Sequence, residues 1–391
     1  MTIAQQITPA TVDAPISANP TSARYESLDA WRGIACLAVV AFHASAPLCG
    51  ENTWLQSLPL YQVILHGGMG IHLFFVISGY CVVAAAVYSL QRGRGVGSYA
   101  VARVRRIFPP YWISIAPPLL AYFALLYVTR HGMGAPTSHI LSGGTDLLRP
   151  GPLLSNLLLM QVPFGVDSIV GVAWTLSYEV VFYAIVAVFM LISYSAARIR
   201  GMLDGLHVLT MACLVILIVA PRLAVFPFDF WPEFGFGILV YDLTANPNRR
   251  MTWLLAALNA ALMAGLMISV SMHGRFGYGH DGGLDSCGIT LGFSILIVLL
   301  FTQDRRLMQL SPVKALAWLG TFSYGLYLTH LTVVGAVLWS FKRAHLEKSH
   351  HYMLVGASIL LAVACGYVFS RYCEWPFMSR RRAAANDRHM G

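Results

Sequence analysis

The chain has 391 residues, of which 57% are hydrophobic and only 11% are charged, and its formal net charge is +9. This composition excludes a soluble globular domain of this length and predicts an all-α, polytopic helical bundle in a lipid bilayer. The positive charge indicates the positive-inside bias of membrane proteins rather than nucleic-acid binding. The seven cysteines form no CxxC pair, which favours packing roles over a disulfide or metal framework.

The two ends of the chain differ from the rest in composition. Residues 1–24 are rich in Ala, Thr, Ser and Pro and lack an apolar stretch, so they predict a disordered cytoplasmic tail rather than a signal peptide. Residues 25–378 carry the apolar segments and are predicted to form the membrane domain. Residues 379–391 are predicted to be a basic cytoplasmic tail.

Apolar runs of about 20 residues predict about ten membrane spans. The sixth is short and contains Pro232, Gly235 and Gly237, so we expect it to be broken or tilted. The segment 150–164 is apolar but too short to span, which favours a re-entrant or interfacial piece. The ten spans lie at about 29–48, 69–89, 109–129, 174–194, 205–221, 231–245, 252–272, 286–302, 320–340 and 352–372.

The distribution of basic residues predicts the orientation of these spans. If the N-terminus is cytoplasmic, 19 of the 26 Lys and Arg residues lie on the inner side and 7 on the outer side. The positive-inside rule therefore predicts a multi-pass protein with both termini in the cytoplasm.

The first span carries charge at one end and a histidine deep inside. Arg32 precedes His43 by eleven residues, so the two side chains lie roughly 16 Å apart along a helix. With Arg32 at the boundary of a layer about 30 Å thick, His43 would lie past the midplane. Ionisable groups at that depth are costly and usually mark a functional site.

Other spans also place ionisable residues within the membrane. By residue count, Glu179 in the fourth span lies at nearly the depth of His43, His72 lies near the outer start of the second span, and His330 lies near the middle of the ninth. Each one alone fits a satisfied polar group in a packed bundle. Together, His43 and Glu179 form a candidate base and orienting carboxylate.

The stretch VARVRRIFPPYW (101–112) places Arg103 and Arg106 on one face of a helix. We expect Pro109 and Pro110 to break the chain before the third span. Positive-inside charge explains the arginines about as well as a site does. A paired arginine face is also suited to a phosphate-rich ligand, because guanidinium groups grip phosphate oxygens in bidentate fashion, and Arg32 would add to it.

The stretch GGMGIHLFFVISGY (67–80) mixes glycines with Phe74, Phe75, Ser78 and Tyr80. Small residues let helices approach closely in a membrane, so packing is the default role of this segment. A narrow tunnel for an extended ligand would use the same residues.

Six motifs, in order, resemble the acyltransferase-3 family of membrane-bound acyltransferases. They begin with Arg32-x10-His43 and LFFVISGY (73–80), in which Tyr80 replaces the usual Phe. The other four are RIFPPYW (106–112) with Arg103, WTLSYEVVFY (174–183) with Trp174 and Tyr178, FSYGLYLTH (322–330) with His330, and EWPF (374–377).

The resemblance implies transfer of an acyl group, usually acetyl, from cytoplasmic acyl-CoA to an acceptor hydroxyl, without a metal. His43 would act as a general base or as a transient acyl carrier, and Arg32, Arg103 and Arg106 would bind the CoA phosphates. The extended pantetheine arm would bridge the two groups.

The resemblance also implies a carbohydrate acceptor, such as exopolysaccharide, O-antigen or another glycan, or a small molecule. Because the chain ends shortly after the tenth span, we expect a stand-alone enzyme of the bacterial inner membrane, and an association with polysaccharide export machinery is compatible with this. The outer segment 130–173 would hold the acceptor specificity. The competing reading is a transporter or flippase of a lipid-linked sugar, since polytopic helices with intramembrane His and Glu suit that class too.

Overall fold

The computed structural model describes residues 25–45, 59–130, 144–192, 196–273, 283–345 and 351–378. The predicted tails, 1–24 and 379–391, lie outside the described residues. The described part is all-helical and contains fourteen α-helices. They are α1 (Leu28–Ser45), α2 (Pro59–Leu65), α3 (Gly70–Gln91), α4 (Val96–Arg130), α5 (Pro150–Leu157), α6 (Trp174–Ile192), α7 (Ala196–Val219), α8 (Trp231–Ala245), α9 (Arg250–His273), α10 (Leu284–Leu300), α11 (Asp304–Leu307), α12 (Ser311–Thr321), α13 (Ser323–Arg343) and α14 (His351–Phe369).

Seven helical stretches in the described residues are long and apolar enough to cross a membrane, and they correspond to α3, α6, α7, α9, α10, α13 and α14. The other three predicted spans correspond to α1, α4 and α8. Helix α1 contains both Asp29 and Arg32, and α4 begins in the arginine-rich stretch. Helix α8 has only 15 residues, fewer than the roughly 20 that span a bilayer upright.

Aromatic packing shows that α3, α6 and α8 run side by side in the same direction. The Phe75 ring on α3 lies 6.3 Å from the Tyr178 ring on α6 and 5.6 Å from the Phe230 ring just before α8. One turn later, Phe182 of α6 stacks on Phe234 of α8 at 4.3 Å. These rings are buried and form the centre of the bundle.

Helix α4 is continuous through its prolines, so the predicted break at Pro109 and Pro110 is wrong. The helix has 35 residues and contains four prolines. A proline removes a backbone N–H, which neighbouring helices in a membrane can compensate. Pro109 and Pro110 leave the carbonyls of Arg105 and Arg106 without their intrahelical donors, and the adjacent Ile107 carbonyl accepts a hydrogen bond from the Tyr324 hydroxyl of α13 at 2.9 Å.

Helix α8 is also unbroken, so of the two alternatives expected for the sixth span a break does not occur. It is buried from its first residue to Thr244, because it crosses α3 very closely. A Cβ atom on Gly79 would lie 2.1 Å from the Phe234 carbonyl oxygen, and one on Gly237 would lie 2.0 Å from the Val76 carbonyl oxygen. Gly79 and Gly237 therefore allow close packing of α3 and α8, the role predicted for small residues in membrane helices.

The described residues between α4 and α6, 144–173, include a segment bonded to α4, which we call the wall before α6. Asn156 is fully buried, and its side-chain amide donates to the carbonyl of Asp167 at 3.0 Å and accepts from the backbone N–H of Ile169 at 2.8 Å. The Tyr111 hydroxyl of α4 donates to the Asn156 carbonyl at 2.9 Å. These internal hydrogen bonds satisfy backbone groups outside the long helices, as a re-entrant or an interfacial segment requires.

Candidate active site

A cavity lies between α1, α3, α4, α6 and α13, with a volume of about 70 Å³. This volume suits several water molecules or a small chemical group. Five of the side chains predicted for the site line it, namely Arg32, Ser78, Arg103, Arg106 and Glu179. Residues far apart in the chain thus share one site.

Arg103 and Arg106 are the cations of this cavity that lack an acidic partner. Within the described residues, neither guanidinium lies within 4.0 Å of a carboxylate, and the buried Nε of Arg103 has no hydrogen-bond acceptor. The Arg103 guanidinium instead lies over the rings of Tyr99 and Tyr183, at 5.5 and 5.4 Å. The aromatic rings hold the group in place and leave its donors available for an anion.

Arg32 lines the same cavity but, unlike Arg103 and Arg106, it has a carboxylate partner. Its Nη1 lies 2.5 Å from Asp29 Oδ1, and its Nη2 donates to the Cys81 thiol at 3.0 Å. The side chain is 12% exposed. Arg32 is therefore already neutralised by a carboxylate of its own helix.

Glu179 accepts hydrogen bonds from the Ser78 hydroxyl, at 3.1 Å, and from the Tyr183 hydroxyl at very short range. It faces the cavity together with the arginines. The structure does not place it in hydrogen-bond contact with His43, whose partners among the described residues are the Val39 carbonyl and His330. The carboxylate is thus a partner of hydroxyl groups at the arginine end.

His43 forms a pair with His330 of α13. His330 Nε2 lies 3.2 Å from His43 Nδ1, and the ring centroids are 5.0 Å apart. His330 Nδ1 lies 2.7 Å from the Tyr327 carbonyl, and His43 Nδ1 lies 3.0 Å from the Val39 carbonyl. A carbonyl only accepts, so both neutral rings carry their proton on Nδ1. His43 Nε2 then keeps its lone pair, for which the described residues provide no donor.

The histidine pair stands beside the cavity, on the far side of Tyr327. Tyr327 lines the cavity, and its ring lies 5.8 Å from the Phe74 ring and 5.7 Å from the His330 ring. Neither His43 nor His330 lines the cavity itself. The site therefore has an arginine end and a histidine end, with Tyr327 between them.

Three other candidates lie outside this cavity. His72 Nδ1 lies 2.8 Å from Glu233 Oε1 on α8, and the Tyr178 hydroxyl donates to Asp229 at 2.9 Å. Trp174 packs its ring against Tyr178, with the centroids 6.0 Å apart. These residues connect the starts of α3, α6 and α8. No group of His, Cys, Asp and Glu suited to a metal ion occurs in the described residues.

Several cavity residues were not singled out from the sequence. They are hydroxyl-bearing or thiol side chains: Cys81, Thr175, Tyr183, Tyr324 and Tyr327. The signal was available, because Tyr324 and Tyr327 precede His330 at helical spacing in FSYGLYLTH and so share its face.

Comparison with known proteins adds independent information. A family model described as an acyltransferase domain matches residues 25–377. The peptidoglycan O-acetyltransferase OatA of Listeria monocytogenes is 21% identical over 333 residues, which cover 79% of this chain and 49% of the relative. YrhL of Bacillus subtilis, provisionally named for the same activity, is 23% identical over 328 residues, covering 78% of this chain and 48% of the relative. The chain thus spans about half the length of these curated relatives. No solved structure matches it at a significant level.

Proposed function

Because this chain belongs to the acyltransferase-3 family, we propose that it transfers an acyl group from cytoplasmic acyl-CoA to a hydroxyl of a carbohydrate. The observation that carries this proposal is a cavity with two arginines free of acidic partners, next to a histidine with a free lone pair. The two relatives are named for acetyl transfer to peptidoglycan, a glycan polymer, and this supports acetyl as the group and a glycan as the acceptor.

The proposed topology has ten crossings in the bacterial inner membrane, with both termini in the cytoplasm. The alternating directions of the helices support it, since α1 runs against α3, and α3, α6 and α8 run together. The excess of basic residues at the helix ends near Arg32, Arg103 and Arg106 supports assigning that side to the cytoplasm. The donor would then enter from the compartment in which acyl-CoA is made.

The donor would be bound through its phosphates at the arginine end. Coenzyme A carries a pyrophosphate and a further phosphate, and Arg103 and Arg106 offer two planar sets of donors on one helical face. Arg32 would contribute less, because Asp29 already occupies it. The cavity is too small for the nucleotide or the pantetheine arm, so only the acyl end of the donor would occupy it.

At the histidine end, the lone pair of His43 Nε2 would accept the proton of the acceptor hydroxyl. The hydroxyl oxygen then forms a bond with the thioester carbonyl carbon, the C–S bond breaks, and the proton passes to the leaving thiolate. His330 Nε2 would accept a hydrogen bond from the Nδ1–H group of His43. This bond would position the His43 ring and hold the tautomer that leaves Nε2 free. An acyl-carrier mechanism would use the same lone pair.

Glu179 is proposed as a positioning residue at the arginine end. Its carboxylate holds the Ser78 and Tyr183 hydroxyls, and Tyr183 in turn lies against Arg103. Loss of Glu179 would loosen the aromatic contact that orients the arginine. This role differs from the histidine partnership that the residue count favoured.

The test is an assay with purified, reconstituted protein, acetyl-CoA labelled on the acetyl group, and glycan acceptors. We expect release of free CoA thiol and label on the glycan. His43→Ala should lower transfer by about 10²–10⁴-fold, the usual range for loss of a general base. His207→Gln changes a buried histidine far from the cavity and is the matched control, expected to keep its activity per folded molecule.

Two results would contradict the proposal. If His43→Ala keeps near-normal turnover, His43 is a packing residue. If the wild type moves a lipid-linked sugar across vesicles and never releases CoA, the protein is a flippase, and the arginines serve only orientation.

A further inference from the structure

The lining of the cavity at the end nearest the histidines includes two aromatic rings. Phe74 of α3 and Tyr327 of α13 both line the cavity, with ring centroids 5.8 Å apart. Tyr327 is 7% exposed, and Phe74 packs against the core. A donor held by its phosphates at Arg103 and Arg106 would bring its acyl end against this pair of rings.

The Tyr327 ring is fixed from behind by the wall that precedes α6. Its hydroxyl lies 2.9 Å from Thr175 Oγ1 and donates to the Val172 carbonyl at 3.1 Å. Thr175 Oγ1 is itself 3.0 Å from the same carbonyl. Because buried hydroxyls are costly to leave unpaired, the ring cannot swing aside to admit a longer chain without breaking this arrangement.

We infer that Tyr327 and Phe74 set the upper limit on acyl chain length, so that the enzyme selects acetyl over longer acyl groups. The inference rests on the proposed function, because it takes the acyl donor to enter from the arginine end. The cavity volume of about 70 Å³ agrees with it, since a small acyl group would take up most of this space.

The experiment compares acetyl-CoA, propionyl-CoA and butyryl-CoA with one acceptor, using the wild type, Tyr327→Ala and Phe74→Ala. The readout is the ratio of kcat/KM for butyryl-CoA to that for acetyl-CoA. Each truncation should raise this ratio by about tenfold or more, the usual effect of one or more methylenes on fit in an apolar pocket. Tyr327→Phe keeps the ring but removes the hydroxyl that fixes it, so it should raise the ratio less than Tyr327→Ala does.

Phe182→Ala is the matched control, because it removes a buried ring that stacks on Phe234 outside the cavity. It should lower stability without changing the ratio. Tyr327→Ala and Phe74→Ala are evaluated separately, so that one variant still tests the inference if the other fails to fold.

The outcomes separate this inference from the proposed function. If the wild type transfers acetyl from CoA and neither Tyr327→Ala nor Phe74→Ala changes the ratio, the inference is overturned and the proposed function stands. If the wild type transfers nothing from any acyl-CoA, the proposed donor is wrong and the inference falls with it.

Discussion

Two arginine groups lie at the same end of the bundle and are built in opposite ways. In the paired cluster (Arg200, Asp204, Asp242 and Arg249), each arginine has a carboxylate: Arg200 lies 2.8 Å from Asp242, and Arg249 makes two 2.8 Å contacts with Asp204. In the open pair (Arg103 and Arg106), neither arginine has one among the described residues. Both groups supply positive charge at the predicted cytoplasmic end. The positive-inside rule is met with or without carboxylate partners, so it does not explain why one group is paired and the other is not.

The paired cluster has the character of a structural clamp. Asp242 of α8 is fully buried and accepts hydrogen bonds from Arg200 of α7, Thr252 of α9 and Asn246. It therefore joins the ends of three helices. Among the described residues, the open pair has no carboxylate from another helix; Arg103 lies over the Tyr183 ring of α6, and both arginines line a cavity and keep their donors. An arginine with a built-in acid stabilises the fold, and an arginine without one is available to a ligand.

The largest expected effect is on donor binding by the open pair. Charge-assisted hydrogen bonds contribute roughly 1.5–3 kcal/mol each, and each 1.4 kcal/mol is tenfold. The double change Arg103→Ala, Arg106→Ala should therefore raise the KM for acyl-CoA by about two to three orders of magnitude or more. The KM for the acceptor and the thermal midpoint should change little. If the double variant binds CoA normally but inserts with mixed topology, the arginines only set orientation.

In the paired cluster the effect should fall on stability instead. Asp242→Ala leaves Arg200, whose side chain is 23% exposed, without its carboxylate, and loss of one partner of a buried pair typically costs about 3–5 kcal/mol. We expect a large drop in the thermal midpoint in detergent, with an unchanged donor KM in the molecules that remain folded. Asp146→Ala is the control, because it breaks an exposed pair with Arg149 and should not change the midpoint measurably. A donor KM that rises with Asp242→Ala would remove the distinction between the two groups.

Arg32 is intermediate, since it lines the cavity but is paired with Asp29. Asp29→Asn removes that charge and frees the guanidinium for the donor. We expect the KM for acyl-CoA to fall by about tenfold, the value of one charge-assisted hydrogen bond. An unchanged KM together with a lower thermal midpoint would assign Arg32 to the same structural class as Arg200.

The smallest effect concerns salt. Raising the ionic strength from about 0.1 M to 1 M shortens the Debye length from about 10 Å to 3 Å. The donor KM of the wild type should rise several-fold, because the open pair is partly exposed to solvent, and the KM of the double variant should respond much less. Equal salt responses in the two proteins would show that the donor is held by contacts other than these charges.

The sequence predicted much of the fold. Hydrophobic runs located the long helices, and the i, i+3 spacing predicted that Arg103 and Arg106 share a helix face; both side chains line the cavity. Local rules failed at Pro109 and Pro110, through which α4 continues, and in α8, where glycines let α3 and α8 cross in close contact.

The partner of His43 was not predictable by counting residues from the membrane surface. That count assumes that α6 begins at the outer boundary, whereas Thr175 in its first turn already contacts Tyr327, only one turn from the start of α13. The first turn of α6, which directly follows the wall before α6, therefore lies inside the bundle and not at its outer edge. Glu179 consequently lies roughly 6 Å further along than Thr175, at the arginine end, and His330 rather than Glu179 meets His43.

The most direct test of the account is a cryo-electron microscopy structure of the His43→Ala protein with acetyl-CoA, since this variant should bind the donor without turning it over. We predict CoA phosphates within hydrogen-bond distance of Arg103 and Arg106, and the acetyl group against the rings of Tyr327 and Phe74. Phosphates bound at the paired cluster, or a cavity that stays empty at a donor concentration far above the KM, would contradict it.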